Sequence, residues 1–133
     1  MNPRYALVSA RAGHRCEYCH APEAIFNFPF EVEHVIPPAQ GGTDSEHNWA
    51  LACRSCDLFK SNAVEGTDSE TGIAVPLFHP RQETWEEHFA AMVGEGTVIG
   101  LTPTGRATVD RLRMNSPTQR FARQQWQRLD LFP

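Results

Sequence analysis

All four cysteines of this chain fall in two CxxC pairs, Cys16 with Cys19 and Cys53 with Cys56, and 33 residues separate the pairs. A two-residue spacer lets both sulfurs of a pair face one ion, so two pairs can close a tetrahedral thiolate set. With no open coordination position, such a set suits structural Zn²⁺ rather than a catalytic metal. A redox-active CxxC and two buried thiol pairs are the competing readings of the same residues. The N-terminus, MNPRYALVSARAGHRC, lacks the apolar core of a signal peptide, so reduced thiols and a cytoplasmic location are the expectation. No apolar run approaches the roughly 20 residues that span a bilayer, so no membrane partner is expected.

A staple between residues 16–19 and 53–56 puts the span between the pairs at the centre of the fold. Phe26, Phe28, Phe30 and Val32 alternate with polar or small residues, a period of two that predicts a strand with that face buried and Glu31 and Glu33 on the other. Pro37-Pro38 ends it, and Gly41-Gly42 allows a tight loop. Asn48 to Ala52 reads as a return strand, and Cys53 to Asn62 as a short helix. Upstream, Asn2 as cap and Pro3 at the first position predict a helix that Gly13 ends. Downstream, Val64 to Gly72 reads as a surface loop and Ile73 to Phe78 as a strand. Trp85 to Val93 and Thr97 to Leu101 fit a hairpin around Gly94-Glu95-Gly96, with a helix at Trp85 to Met92 as the alternative. Thr102-Pro103 and Ser116-Pro117 each predict a capped helix start. Leu112, Met114, Phe121, Trp126 and Leu129 on these two helices are expected to pack in the core, ahead of a DNA-reading helix-turn-helix.

The chain of 133 residues suits one compact core. The net charge of −4 conceals an asymmetry: residues 1–100 sum to −8 and residues 101–133 to +4, with six arginines in the latter. Lys60 is the only lysine. Guanidinium groups pair bidentately with phosphate, although codon usage alone can favour arginine.

Between and beside the cysteine pairs stand Glu33-His34, Pro37, Gly41-Gly42, Asn48, Asp57 and Lys60. This order resembles the HNH family of nucleases over residues 16 to about 62. The resemblance implies an α+β, small zinc-stapled ββα-metal (HNH) fold, here with an N-terminal helix, an extra hairpin and a C-terminal helical pair. One domain over residues 1–133 is expected, with a core at about 14–62, an extension at 63–101 and an Arg-rich helical tail at 102–133. It further implies Glu33 and Asp57 as ligands of a catalytic divalent cation, His34 as general base and Asn48 as brace for the loop. Glu33 stands where the family commonly has Asp, and Asp57 where it has Asn or His. Two carboxylates suit a hard ion such as Mg²⁺ or Mn²⁺, but the second also leaves room for a site that has lost activity. The implied partner is nucleic acid, DNA ahead of RNA, with Lys60, Arg54 and the tail arginines on the phosphate backbone. Arg81 is read either as a further phosphate clamp or as the partner of an acid. Two rivals remain open: a catalytically inactive zinc-binding nucleic-acid module, and a protein-interaction domain on the same scaffold.

Overall fold

A computed structural model describes residues 2–133. Helix α1 (Tyr5–Arg11) begins later than the cap signal suggests. Asn2 Oδ1 accepts from the Arg4 amide at 2.8 Å and the Asn2 carbonyl accepts from Tyr5 at 3.0 Å, so Asn2-Pro3 builds the turn before the helix. Gly13, at φ +64, follows its last turn.

The predicted Phe-rich strand is shorter than its alternation. Strand β1 runs over Glu31–His34, while Phe26 and Phe28 are exposed in the preceding turn. Pro29 lacks an amide for a ladder, and the Phe30 amide is taken by the Glu23 carboxylate at 2.7 Å. Within β1 the expected faces are reversed, since Glu33 is buried and Val32 only half-buried. Strand β2 (Trp49–Ala52) pairs antiparallel with β1, aligning Glu33 with Ala50 and His34 with Trp49. Helix α2 (Arg54–Lys60) follows, with Cys53 Sγ accepting from the Cys56 amide at 3.5 Å. This hairpin and helix form the expected ββα unit, and α1 packs against the hairpin.

Two further hairpins follow where one was expected. Strands β3 (Glu65–Thr67) and β4 (Ala74–Pro76) pair antiparallel, and β3 lies in the segment read as loop. Its polarity misleads because the turn is organised by a fully buried carboxylate: Asp68 accepts from Thr71 Oγ1 at 2.7 Å and from Arg106 Nε at 2.6 Å. The short helix α3 (Trp85–His88) then leads into the hairpin β5 (Phe89–Ala91) and β6 (Val98–Gly100), so both readings of that stretch are partly realised.

The helical pair forms as its caps dictate. Helices α4 (Pro103–Arg111) and α5 (Pro117–Arg128) start with Thr102 Oγ1 accepting from Gly105 and Ser116 Oγ accepting from Gln119. Asn115, in their connection, accepts from the Val98 amide at 2.9 Å and donates to its carbonyl at 2.8 Å, extending the edge of β6. Leu112, Met114 and Trp126 enter the common core with Val8, Tyr18, Leu51, Phe78 and Phe89. Phe121 and Leu129 do not, and remain 65 % and 64 % exposed.

Gly105 lets α4 approach the α3–β5 junction backbone to backbone, since an added Cβ would lie 2.1 Å from the His88 carbonyl oxygen. Gly105→Ala is therefore expected to destabilise the fold by about 1–3 kcal/mol, the range for forced overpacking. Thermal or denaturant unfolding against wild type measures it.

Candidate metal centre and active site

The Cys16–Cys19 turn follows α1 and the Cys53–Cys56 turn opens α2, and the ββ hairpin brings the two face to face. All four Sγ atoms lie within 4.8 Å of one another, and each cysteine is at most 3 % exposed. Cys19 Sγ and Cys53 Sγ are 3.7 Å apart; a tetrahedron with Zn–S bonds of about 2.3 Å has edges of about 3.8 Å. The Cys19 amide points at Cys16 Sγ as the Cys56 amide points at Cys53 Sγ, both at 3.5 Å. Donor type, spacing and enclosure therefore fit zinc. Crowding splits the thiols: hydrogen bonding with Cys16 holds Cys19 well below the usual thiol range, while the same neighbour pushes Cys53 and Cys56 up. A dication among them would remove that conflict.

The zinc set gains a cation from the far end of the chain. Arg123 of α5 is fully buried and donates to the carbonyls of Gly96 and Met114. Burial lowers its pKa and the four cysteines oppose that effect, so a guanidinium balances part of the thiolate charge.

On the next layer of the ββα unit, Glu33 of β1 is 8 % exposed. The Tyr18 hydroxyl donates to its Oε1, and Lys60 Nζ lies 3.5 Å from its Oε2 while donating to the Val35 carbonyl at 2.8 Å. Burial raises the Glu33 pKa to about 7 against the pull of Lys60 and Tyr18, and Asp57 adds to the rise. This overturns the reading of Lys60 as a phosphate contact. At 1 % exposure, its ammonium is the internal counter-charge of Glu33. Lys60→Met removes that counter-charge, so Glu33 is expected to take up a proton at neutral pH and the unfolding free energy to fall by about 1–3 kcal/mol, the cost of lost buried polar partners. Denaturant titration measures the loss.

Asp57 is half-buried on α2, where its amide donates to the Cys53 carbonyl at 2.9 Å, and its carboxylate forms no hydrogen bond or ion pair among the described residues. Burial, then repulsion from Glu31, raises its pKa. Asp57 thus offers a free hard-oxygen donor beside Glu33. Each Glu33 oxygen, though partnered once, keeps a second lone pair. The pair fits a hard dication by donor chemistry and by the repulsion of Glu33 by Asp57 that such an ion would relieve.

His34, at the end of β1, faces the loop that Asn48 ties together. Asn48 Nδ2 donates to the carbonyls of Ile36 and Thr43, each at 2.8 Å, and its Oδ1 accepts from the Ile36 amide at 2.9 Å. Gly42 is required there, because a Cβ would fall 1.7 Å from the Ile36 carbonyl oxygen. The loop delivers Asp44, whose Oδ1 lies 3.0 Å from His34 Nε2. A carboxylate only accepts, so Nε2 carries the proton and Nδ1 is the lone-pair nitrogen of the neutral ring. Arg4 holds Asp44 with two nitrogens at 2.7 and 2.8 Å, and stacks over Trp49 at 4.4 Å. Hydrogen bonding to His34, then Arg4, keeps the Asp44 carboxyl below the usual range. Sequence reasoning passed over Asp44. Its place shortly after Gly41-Gly42, within the loop that Asn48 closes, was the available signal.

Residues 16–63 match the HNH endonuclease family.

This HNH domain spans both cysteine turns, β1, β2 and α2, and HNH nucleases act on nucleic acid with divalent metals. No curated protein and no solved structure matches the chain. Outside the HNH domain, Arg81 pairs with Glu17, so of its two readings the structure carries the acid pair. Burial pushes its pKa down to about 10. Three of the six tail arginines are likewise committed internally rather than set out for phosphate. Arg106 pairs with Asp68, Arg111 Nε donates to the Phe59 carbonyl at 3.1 Å, and Arg123 is enclosed. Arg54 is different: it is exposed and its guanidinium has no ion pair or hydrogen bond among the described residues. His88 is occupied by Thr102 and Glu83, and His47 is exposed. No described helix is long and apolar enough to cross a membrane.

Proposed function

We propose that the chain is a metal-dependent endonuclease that hydrolyses phosphodiester bonds of nucleic acid, DNA ahead of RNA, acting as one domain in the cytoplasm with structural zinc and catalytic Mg²⁺ or Mn²⁺. The observation that carries this is the His34–Asp44 pair, set on a loop braced by Asn48 and next in sequence to the buried acid Glu33. With Nε2–H given to Asp44, Nδ1 of His34 accepts a proton from water as it attacks phosphorus. The resulting imidazolium is stabilised by the ionised Asp44, which also fixes the ring against rotation. A divalent cation held by Asp57 and Glu33 would neutralise charge developing on the phosphate and leaving oxygen. Asn48 keeps the loop from collapsing onto the ring, and Arg54 supplies a cation for the backbone of the bound strand.

Asp44 is a positioning residue in this scheme. Asp44→Asn is expected to lower kcat roughly 10- to 100-fold, a part of the 10²–10⁴ that a positioned general base supplies, with little change in KM. Initial rates over a substrate series separate the two constants.

The reading is tested by incubating supercoiled plasmid with the purified protein and added Mg²⁺ or Mn²⁺: cation-dependent nicking is expected, and intact plasmid at every cation concentration would count against it. A non-catalytic nucleic-acid module is the second reading, favoured by one observation. Tyr18 and Lys60 already engage both oxygens of Glu33.

A further inference from the structure

An open groove of about 520 Å³ lies between the start of α2, the first turns of α5 and the Phe26 turn. Phe59, Ala122 and Trp126 form its apolar floor, and Phe26 and Leu58 its rim, at 42 % and 61 % exposure. Arg54 stands at its mouth, and no acidic residue lines it, although acids outnumber bases by 16 to 12 in this chain. A second cation flanks it: the Arg113 guanidinium lies 4.5 Å over the Phe59 ring. Arg54 and Phe26 also line an adjoining hollow of about 380 Å³ with Phe28, which is 74 % exposed, and with the exposed acid Glu31, so the anionic edge of an occupant belongs on the Arg54 side of the groove and away from that hollow.

We infer that this groove holds an unpaired nucleobase of a single-stranded or locally opened nucleic-acid strand. The inference rests on the reading of the chain as acting on nucleic acid and specifies the form of that substrate. An occupant must be flat or apolar enough for a floor of Phe59 and Trp126 and anionic enough for Arg54 at the mouth, which has no protein partner. A nucleotide joins both properties, with a π-face for stacking and a phosphate at its edge. An apolar protein helix would satisfy the floor but leaves the Arg54 guanidinium without a partner, since no acidic residue lines the groove. Position agrees. Arg54 precedes Asp57 by three residues, just under one helical turn and about 4.5 Å along α2, so the two side chains are neighbours on one face of the helix. A strand with its reacting phosphate at Asp57 and His34 therefore brings a neighbouring base to the groove. In an intact duplex that base is stacked and paired, and cannot enter.

The test is a fluorescence titration of an oligonucleotide carrying one 2-aminopurine, single-stranded and as the matched duplex, without added divalent cation. The proteins are wild type, Phe26→Ala, Leu58→Ser and His34→Ala, each verified for zinc content and fold. Wild type is expected to change the probe signal of the single strand and to bind it at least tenfold more tightly than the duplex. Phe26→Ala and Leu58→Ser should each weaken single-strand binding about tenfold, within the range for loss of a stacked base. Single-strand binding by His34→Ala at wild-type affinity supports the groove whatever becomes of cleavage. Wild-type affinity in both Phe26→Ala and Leu58→Ser, or equal affinity for duplex, would overturn it. So would an acidic or apolar peptide that displaces no oligonucleotide while itself binding in a Leu58-dependent way.

Discussion

Stripping zinc from the four-cysteine centre is expected to unfold the chain, not merely to slow it. The centre joins the turn after α1 to the turn that opens α2, and Cys53 Sγ also caps that helix. Structural zinc contributes roughly 10–16 kcal/mol of apparent binding free energy, against a total stability of about 5–15 kcal/mol for a domain of this kind. Without the ion, four crowded thiols and the enclosed Arg123 remain in the core with no dication to organise them. Cys53→Ser should fail in the same way. Metal analysis should find one tightly bound zinc per chain, and chelation should abolish the far-ultraviolet dichroism of the helices. A native spectrum after complete zinc removal would contradict the stapling role.

The second large effect falls on chemistry and spares the fold. His34→Ala is expected to reduce cleavage by 10² to 10⁴, the usual range for losing a positioned general base. His34 is only half-buried and its single side-chain partner, Asp44, is exposed and still held by Arg4, so stability should change by less than about 0.5 kcal/mol. This separation from the zinc and Lys60 variants matters, because those can lose activity simply by failing to fold.

What the residue pattern revealed, and what it hid, divides by the range of the interactions. The two CxxC turns, the Pro and Gly-Gly loop and the caps at Thr102 and Ser116 announce themselves within a few residues, and each forms where its local chemistry places it. The errors concern charges whose partners lie far along the chain. Glu33 looked like a solvent-facing acid because nothing in a period-two pattern reveals Lys60 and Tyr18 closing over it. Arg106 looked like a phosphate contact because Asp68, 38 residues away, is a buried acid inside an apparently loose polar turn. The same concealment hid β3, whose strand is set by that turn and by close packing of Gly66 against Ala107. Asp44 was hidden differently. It sits in plain view after Gly41-Gly42, but only the folded loop brings it to His34 Nε2.

The proposal that this HNH domain cleaves nucleic acid through His34 is tested most directly by nicking of supercoiled plasmid with Mg²⁺ or Mn²⁺, comparing zinc-loaded, folded wild type with His34→Ala at equal concentration. Cation-dependent nicking by wild type, reduced at least 100-fold in His34→Ala, is the predicted result. Equal nicking by the two proteins would contradict it.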